Sequence, residues 1–295
     1  MTTTAPAAST RTSPPAGTGS RRVRRDPIHI GLAVWSALAF VFLFLPIVYV
    51  VIYSFNGGNQ LASWRGFSTR WYTLSLDNPQ INDAVLRSLQ VALLSSLLAV
   101  AIGTLAGLAL ARRPGRWQIP FLGLVFLILT APEIVDAISY LIWFVRISIA
   151  DGVVRMIISH SVFSSAVVAL VVRARMAGMD ESLEQAAADL GASPLKAFRL
   201  ITVPLVLPAV IAGGLLSFTF SLDNTITSSF VSTAGSTTWP VYVFSALRQG
   251  LRGDLAAMST LVLLMTLAAI ALTALVLRRG GDSNEQITGT LTGTG

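Results

Sequence analysis

Asp180-Glu181-Ser182-Leu183-Glu184-Gln185-Ala186-Ala187-Ala188-Asp189-Leu190-Gly191-Ala192-Ser193-Pro194-Leu195-Lys196-Ala197-Phe198-Arg199-Leu200-Ile201-Thr202-Val203-Pro204 is neither apolar enough to cross a membrane nor irregular enough to be a linker. Ser182 and Gln185 stand at capping-box spacing, and acidic residues crowd the first turn, where the helix dipole favours them. Three alanines then make a strong, thin helix. Gly191 can adopt the left-handed conformation that ends it. Ser193 and Pro194 suit the N-cap and first position of a second helix, on which Leu195, Phe198 and Ile201 share a face. Pro204 and Pro208 mark entry into the next apolar block. A helix lying on lipid would carry basic and large apolar residues. The acidic, alanine-rich first helix instead suits close approach by a protein partner.

On both sides of this stretch the chain is strongly apolar. Of 295 residues, 53% are hydrophobic and 12% are charged, about half the roughly 25% of a soluble domain. Blocks near 30–53, 85–111, 118–144, 153–172, 204–222 and 256–277 each approach the roughly 20 residues that cross a bilayer. The expectation is an all-α, polytopic membrane protein with six transmembrane helices. Its organisation reads as a disordered tail (1–28), a first transmembrane helix (29–54) and an extracytoplasmic segment (55–84). A core of five helices (85–278) carries the 180–204 loop, and a second disordered tail (279–295) follows. The first block is too long for a signal peptide and lacks a small-residue cleavage site, so it is a retained helix. With the N-terminus inside, fourteen of the 21 Lys and Arg residues fall in cytoplasmic stretches, which predicts both termini cytoplasmic. Outer segments then lie near 55–84, 145–152 and 223–255. No internal repeat points to an inverted-repeat secondary transporter.

Several functions are excluded. The chain has no cysteine, and its two histidines, His29 and His160, stand apart without metal-ligand companions, so no metal site is expected. The net charge of +7 belongs to loops at the membrane face, and no basic stripe interleaves with aromatics to bind nucleic acid. A P-loop needs Gly-Lys-Ser/Thr, but the single lysine, Lys196, follows Leu195. No catalytic set of residues stands out, so the chain reads as a non-enzyme without a cofactor, and any energy for transport must enter from outside.

Gln185-Ala186-Ala187, three residues, Gly191, nine residues, then Ile201-Thr202-Val203-Pro204 resembles the cytoplasmic motif of permease subunits in binding-protein-dependent ABC importers of type I. That motif has Glu where Gln185 stands and Leu where Val203 stands. Glu184, beside Gln185, supplies the nearest acid. The likeness extends from about Ile30 to Arg279 and is greatest to the second permease subunit of spermidine/putrescine importers. It runs through Tyr53-Ser54-Phe55-Asn56, 67–72, Pro132-Glu133-Ile134-Val135, 217–224 and 228–231. The resemblance implies a multi-pass protein of the bacterial inner membrane. It also implies a separate ATP-binding subunit docked on 180–204, a second and homologous permease, an extracytoplasmic solute-binding protein and alternating access. Its coupling residues are Glu184, Gln185, Ala186, Ala187, Gly191, Ile201 and Pro204. Related permeases serve ferric ion, opine and thiamine importers, and a stand-alone secondary transporter is the reading from another class.

A polyamine pathway should offer carboxylates and aromatic faces. The candidates are Asp223 and Asn224 at the outer end of the fifth span, and Glu133 and Asp136 in the third. Relatives often carry two adjacent acids where Asp223-Asn224 stands. Each acid also has a structural reading. Asp223 would bond backbone amides at a helix end, Glu133 would cap the first turn after Pro132, and Asp136 would pair with Arg146 or with the partner subunit. Trp64, Trp71, Tyr72 and Trp239 read as interfacial belt residues.

Overall fold

The computed structural model describes residues 27–279 apart from 60–62, 113–114, 181, 249 and 251, so both predicted tails lie almost wholly outside the described residues. The chain divides into two compact units, which meet between Tyr49 and Val50. The first contains most of α1 (Pro27–Tyr53), an apolar helix with Pro46 inside it. The second holds the rest. Among the described residues it has no strand, only an isolated antiparallel bridge between Asn56 and Phe67.

The second unit opens with α2 (Arg70–Leu76), α3 (Pro79–Arg112), α4 (Gln118–Thr130), α5 (Glu133–Arg146) and α6 (Gly152–Ala177). After them come α7 (Ser182–Asp189), α8 (Pro194–Ala197), α9 (Val203–Asp223), α10 (Ile226–Val231), α11 (Trp239–Leu247) and α12 (Gly253–Arg279). Among the described residues, four stretches are long and apolar enough to cross a membrane: 31–53, 79–112, 152–177 and 194–223. A fifth is the broken pair α4–α5, and α12 supplies a shorter apolar stretch, Gly253–Ala268.

Helices α3, α6 and α9 form the centre of this unit. Along α3, three apolar clusters follow one another. Ile81 and Ala84 pack with Trp239 and Leu255, Val91 packs with Phe144 and Met156, and Val100 and Leu108 pack against Val168, Val172 and Val206. Close approach of α3 to α6 rests on Gly103 and Gly107, four residues apart on one face. A Cβ at Gly103 would lie 2.6 Å from the Cβ of Val168, and one at Gly107 would lie 2.6 Å from the carbonyl oxygen of Ala169. Small residues one turn apart let helix backbones meet in a membrane, where burial of oil against oil gives no drive. Buried serines do the same: Ser88, Ser95 and Ser96 on α3, Ser159, Ser161 and Ser164 on α6, and Ser217 and Ser221 on α9.

Two predicted spans differ in shape. The block at 118–144 is not one helix, because α4 and α5 meet at 104° across Ala131 and Pro132. Both residues are extended, with ψ of 137° and 125°. Proline has no amide hydrogen to continue a helix and drives its predecessor out of the helical region. The fifth span, conversely, is longer than predicted: helix continues from Pro194 to Asp223, with a π turn at Phe198–Thr202. Pro204 does not start a new segment. It lacks the N–H that Leu200 would accept, and the wider turn before it, with Val203 N–H donating to Phe198 O, absorbs that loss.

Three of the aromatics expected at the interface make defined contacts within the fold. Trp71 Nε1 donates to the carbonyls of Asn56 and Gly58, at 2.9 and 3.1 Å, and its ring lies against Gly253. Trp239 is buried and stacks on Tyr242. The Tyr72 hydroxyl shares a 2.6 Å hydrogen bond with Ser54. These contacts hold Trp71, Tyr72 and Trp239 in place within the fold.

Candidate functional site

At one end of the bundle lies the α7–α8 element. Its turn forms as the sequence predicts: Gly191 has φ of 80° and its amide bonds to Ala188 O at 2.9 Å. The N-terminal cap differs. Ser182 is the first helical residue, and the carboxylate of Asp180 accepts its N–H at 2.9 Å, which holds the Asp180 carboxyl below the usual range. Leu195 and Phe198 do not face the bundle but are exposed. Ala197 and Thr202 are the buried pair, five apart, because the π turn shifts the register. No residue of α7 is buried, and Leu190 is 89% exposed at its end. Gln185 and Ala186 point outward, whereas Ala188 and Ala192 border a groove of about 580 Å³.

Glu184 does not face outward with them. Its two carboxylate oxygens accept from both terminal nitrogens of Arg112, the last residue of α3, in a forked ion pair. The Thr202 hydroxyl in the π turn donates to the same carboxylate. Bonding to the Arg112 guanidinium, then to Thr202, keeps the Glu184 carboxyl below its ordinary range. Arg112 and Thr202 were not legible as functional, since nothing local marks contacts across 72 and 18 residues.

The conformation of Gly191 is testable by itself. A Cβ there meets no atom within 4 Å, so only backbone strain opposes substitution. Gly191→Val is expected to cost roughly 1–2 kcal/mol in that turn. Coupled uptake should fall while insertion is unchanged, and Gly191→Asn, which tolerates positive φ, should remain close to wild type. Equal uptake by the two variants would sink the assignment.

The other site is a cavity of about 540 Å³ where α5, α6, α9 and α10 meet. Glu133, Asp136 and Asp223 line it together with Tyr140, Phe163 and Phe220, and no Lys or Arg is among its lining residues. All four predicted pathway residues, Asn224 included, therefore come together here. The bend at Pro132 makes this possible, because it starts α5 at Glu133 beside the α9–α10 break. Glu133 is not a backbone cap: its Oε1 accepts from Asn224 Nδ2 at 2.8 Å and from the Thr227 hydroxyl at 3.4 Å. Asp136 and Arg146 do not pair; they stand at opposite ends of α5, about 15 Å apart along its axis.

The residue that sequence reasoning missed in this cavity is His160. It is 3% exposed, with Nδ1 at 2.8 Å from Ser221 Oγ and Nε2 at 3.1 Å from Ser228 Oγ. The available signal was its setting, a lone histidine between Ser159 and Ser161 within a membrane-length helix.

A polytopic helical bundle with an exposed helix–glycine–helix element at one end and an acidic cavity within defines a membrane permease. The chain belongs to the family of binding-protein-dependent transport system inner membrane components, matched over residues 99–279. Among curated relatives it is 40% identical to the putrescine transport system permease protein PotI of Escherichia coli K12, over 77% of this chain and 83% of that one. It is 34% identical to the spermidine/putrescine transport system permease protein PotC of Haemophilus influenzae, over 82% and 94% of the two chains. Its fold matches a crystal structure of a bacterial ABC transporter that imports the polysaccharide alginate. The TM-score is 0.64 at 15% identity, over 87% of this chain and 97% of that one.

Proposed function

We propose that this chain forms half of the path by which an ATP-driven importer carries an aliphatic polyamine across the bacterial inner membrane. The observation that carries the solute class is the cavity with Glu133, Asp136 and Asp223 and no cationic side chain on its wall. Carboxylates within a membrane are costly and are retained where they serve an ion or a charged solute. Tyr140, Phe163 and Phe220 add aromatic faces that suit ammonium groups and methylene chains alike. The named relatives, which are putrescine and spermidine/putrescine permeases, support the same class.

In this reading a separate ATP-binding subunit docks on α7 and α8, with Gln185, Ala186 and Leu190 on the outward face. Ala187, Gly191, Ile201 and Pro204 set the shape of the element. Glu184 acts inward. Through Arg112 and Thr202 it ties α7 to the ends of two membrane helices, so motion of the docked subunit moves both α3 and α9. Helix α9 then spans roughly 30 Å from Val203 to Asp223 at the cavity. A second, homologous permease completes the path, and an extracytoplasmic binding protein delivers the solute. Both termini face the cytoplasm.

The test is uptake of labelled putrescine into proteoliposomes holding the complete importer. ATP-dependent uptake is expected, and replacing Glu133→Gln, Asp136→Asn and Asp223→Asn together should lower it at least roughly tenfold. ATP-driven import of a neutral or anionic solute, with putrescine ignored, would overturn the assignment.

A further inference from the structure

Along the wall of the cavity, five helices are joined by one line of hydrogen bonds. Ser95 on α3 donates to Ser221 Oγ on α9 at 2.8 Å. Ser221 meets Nδ1 of His160 on α6, and Nε2 meets Ser228 on α10. The Ser228 N–H donates to Asn224 Oδ1 at 3.1 Å, and its hydroxyl lies 3.5 Å from the same oxygen. Asn224 Nδ2 then donates to Glu133 on α5 at 2.8 Å.

The line has a direction. The Ser228 amide fixes the Asn224 side chain with its oxygen toward α10, which leaves its NH₂ for Glu133. With Ser95 donating to Ser221, the Ser221 proton is free for Nδ1 of His160, and the tautomer that continues the line carries its hydrogen on Nε2, toward Ser228. The Ser228 hydroxyl in turn donates to Asn224. Every donor thus points toward the one carboxylate at the end, and successive bonds aligned this way polarise and strengthen one another. Ser95, Ser221, Ser228 and His160 are all buried, so each unmade bond would leave a polar group unpaid by water. Imidazole is the neutral side chain that accepts on one side and donates on the other, across the gap between two hydroxyls.

We propose that His160 is a positioning residue for solute transfer: held by Ser221, it orients Ser228 and Asn224 so that Glu133 presents its carboxylate to the cavity. This rests on the reading of the cavity as the solute path. The experiment is a double-mutant cycle in the complete importer, with putrescine uptake into proteoliposomes as the readout. His160→Leu is expected to slow uptake roughly tenfold. His160→Gln, whose amide N–H can still donate toward Ser228, should recover most of it, a rescue that loss of packing alone would not give. In a Glu133→Gln importer, His160→Leu should cause little further loss, since the group it orients no longer carries charge. Should His160→Leu fail to reach the membrane, Ser228→Ala removes the hydroxyl that joins His160 to Asn224 without emptying the site and carries the same expectation. Multiplied losses, or a Gln variant as poor as Leu, overturn the proposal. Impaired Glu133→Gln with unimpaired Ser228→Ala overturns it alone, whereas unimpaired Glu133→Gln overturns the cavity reading as well.

Discussion

A Gly107→Leu permease is expected to be nearly absent from membranes. At this position α3 lies against the backbone of α6, and even a single Cβ would sit 2.6 Å from the Ala169 carbonyl and 2.8 Å from the Val172 Cβ. Backbone cannot step aside as a flexible side chain can. Overpacking a well-packed interior costs roughly 1–3 kcal/mol for a few atoms. Here four carbons are added where none fits, at the contact that organises the central helices. The steady-state amount of monodisperse protein after detergent extraction is the measurement. Gly123→Leu is the control: nothing lies within 4 Å of a Cβ there, and it should accumulate normally. Comparable amounts of the two variants would show that the α3–α6 approach is not needed for assembly.

Charge reversal at the α7–α8 end of the bundle is expected to uncouple the protein without unfolding it. Arg112→Glu places two carboxylates where a forked ion pair stood, one of them still accepting from Thr202. Both side chains are about three-quarters buried, at 28% and 25% exposure. Breaking the pair therefore costs more than an exposed bridge and less than a fully buried one, about 2 kcal/mol. That corresponds to a roughly thirtyfold loss of the state in which α7 is tied to α3. Uptake should fall while ATP hydrolysis by the complex persists. The double exchange Arg112→Glu with Glu184→Arg should restore part of the uptake, and failure of rescue with normal protein levels would argue against the tie. The pH dependence has a definite sign. Because Glu184 is held below its ordinary range, the contribution of the pair is complete above that range and is lost as pH falls through the lowered value. Neutral and mildly acidic media should leave it intact.

How much could be read in advance depended on whether the physics was local. The α7–Gly191–α8 element was legible because propensity, a left-handed glycine and a helix-starting proline all act within a few residues. The apolar blocks were legible for the same reason. The bend at Pro132 was visible as a residue but was outweighed by the unbroken apolar length around it. The π turn was not visible, since Pro204 read as a boundary, although a proline can equally be absorbed by widening the turn ahead of it. Gly103 and Gly107 carried a readable close-packing spacing, and its partner on α6 emerged only from the fold. In the cavity, the acids could be named from residue type and Asn224 from the family resemblance. Their convergence could not, because it depends on bringing residues 133 and 224 together, 91 positions apart.

The break between α4 and α5 has a further consequence, for release rather than capture. Glu133 and Asp136 lie in the first turn of α5, where unpaired amides make the end of a helix electropositive. On the proposed path, an ammonium in the cavity meets two carboxylates whose pull is already offset in part by their own backbone. A deep electrostatic trap would hold a polyamine and stop turnover, since passage demands attraction strong enough for entry and shallow enough for exit. On the proposed path, the fold thus sets two of the three cavity acids on a helix start created by Pro132 and so moderates its grip on the solute.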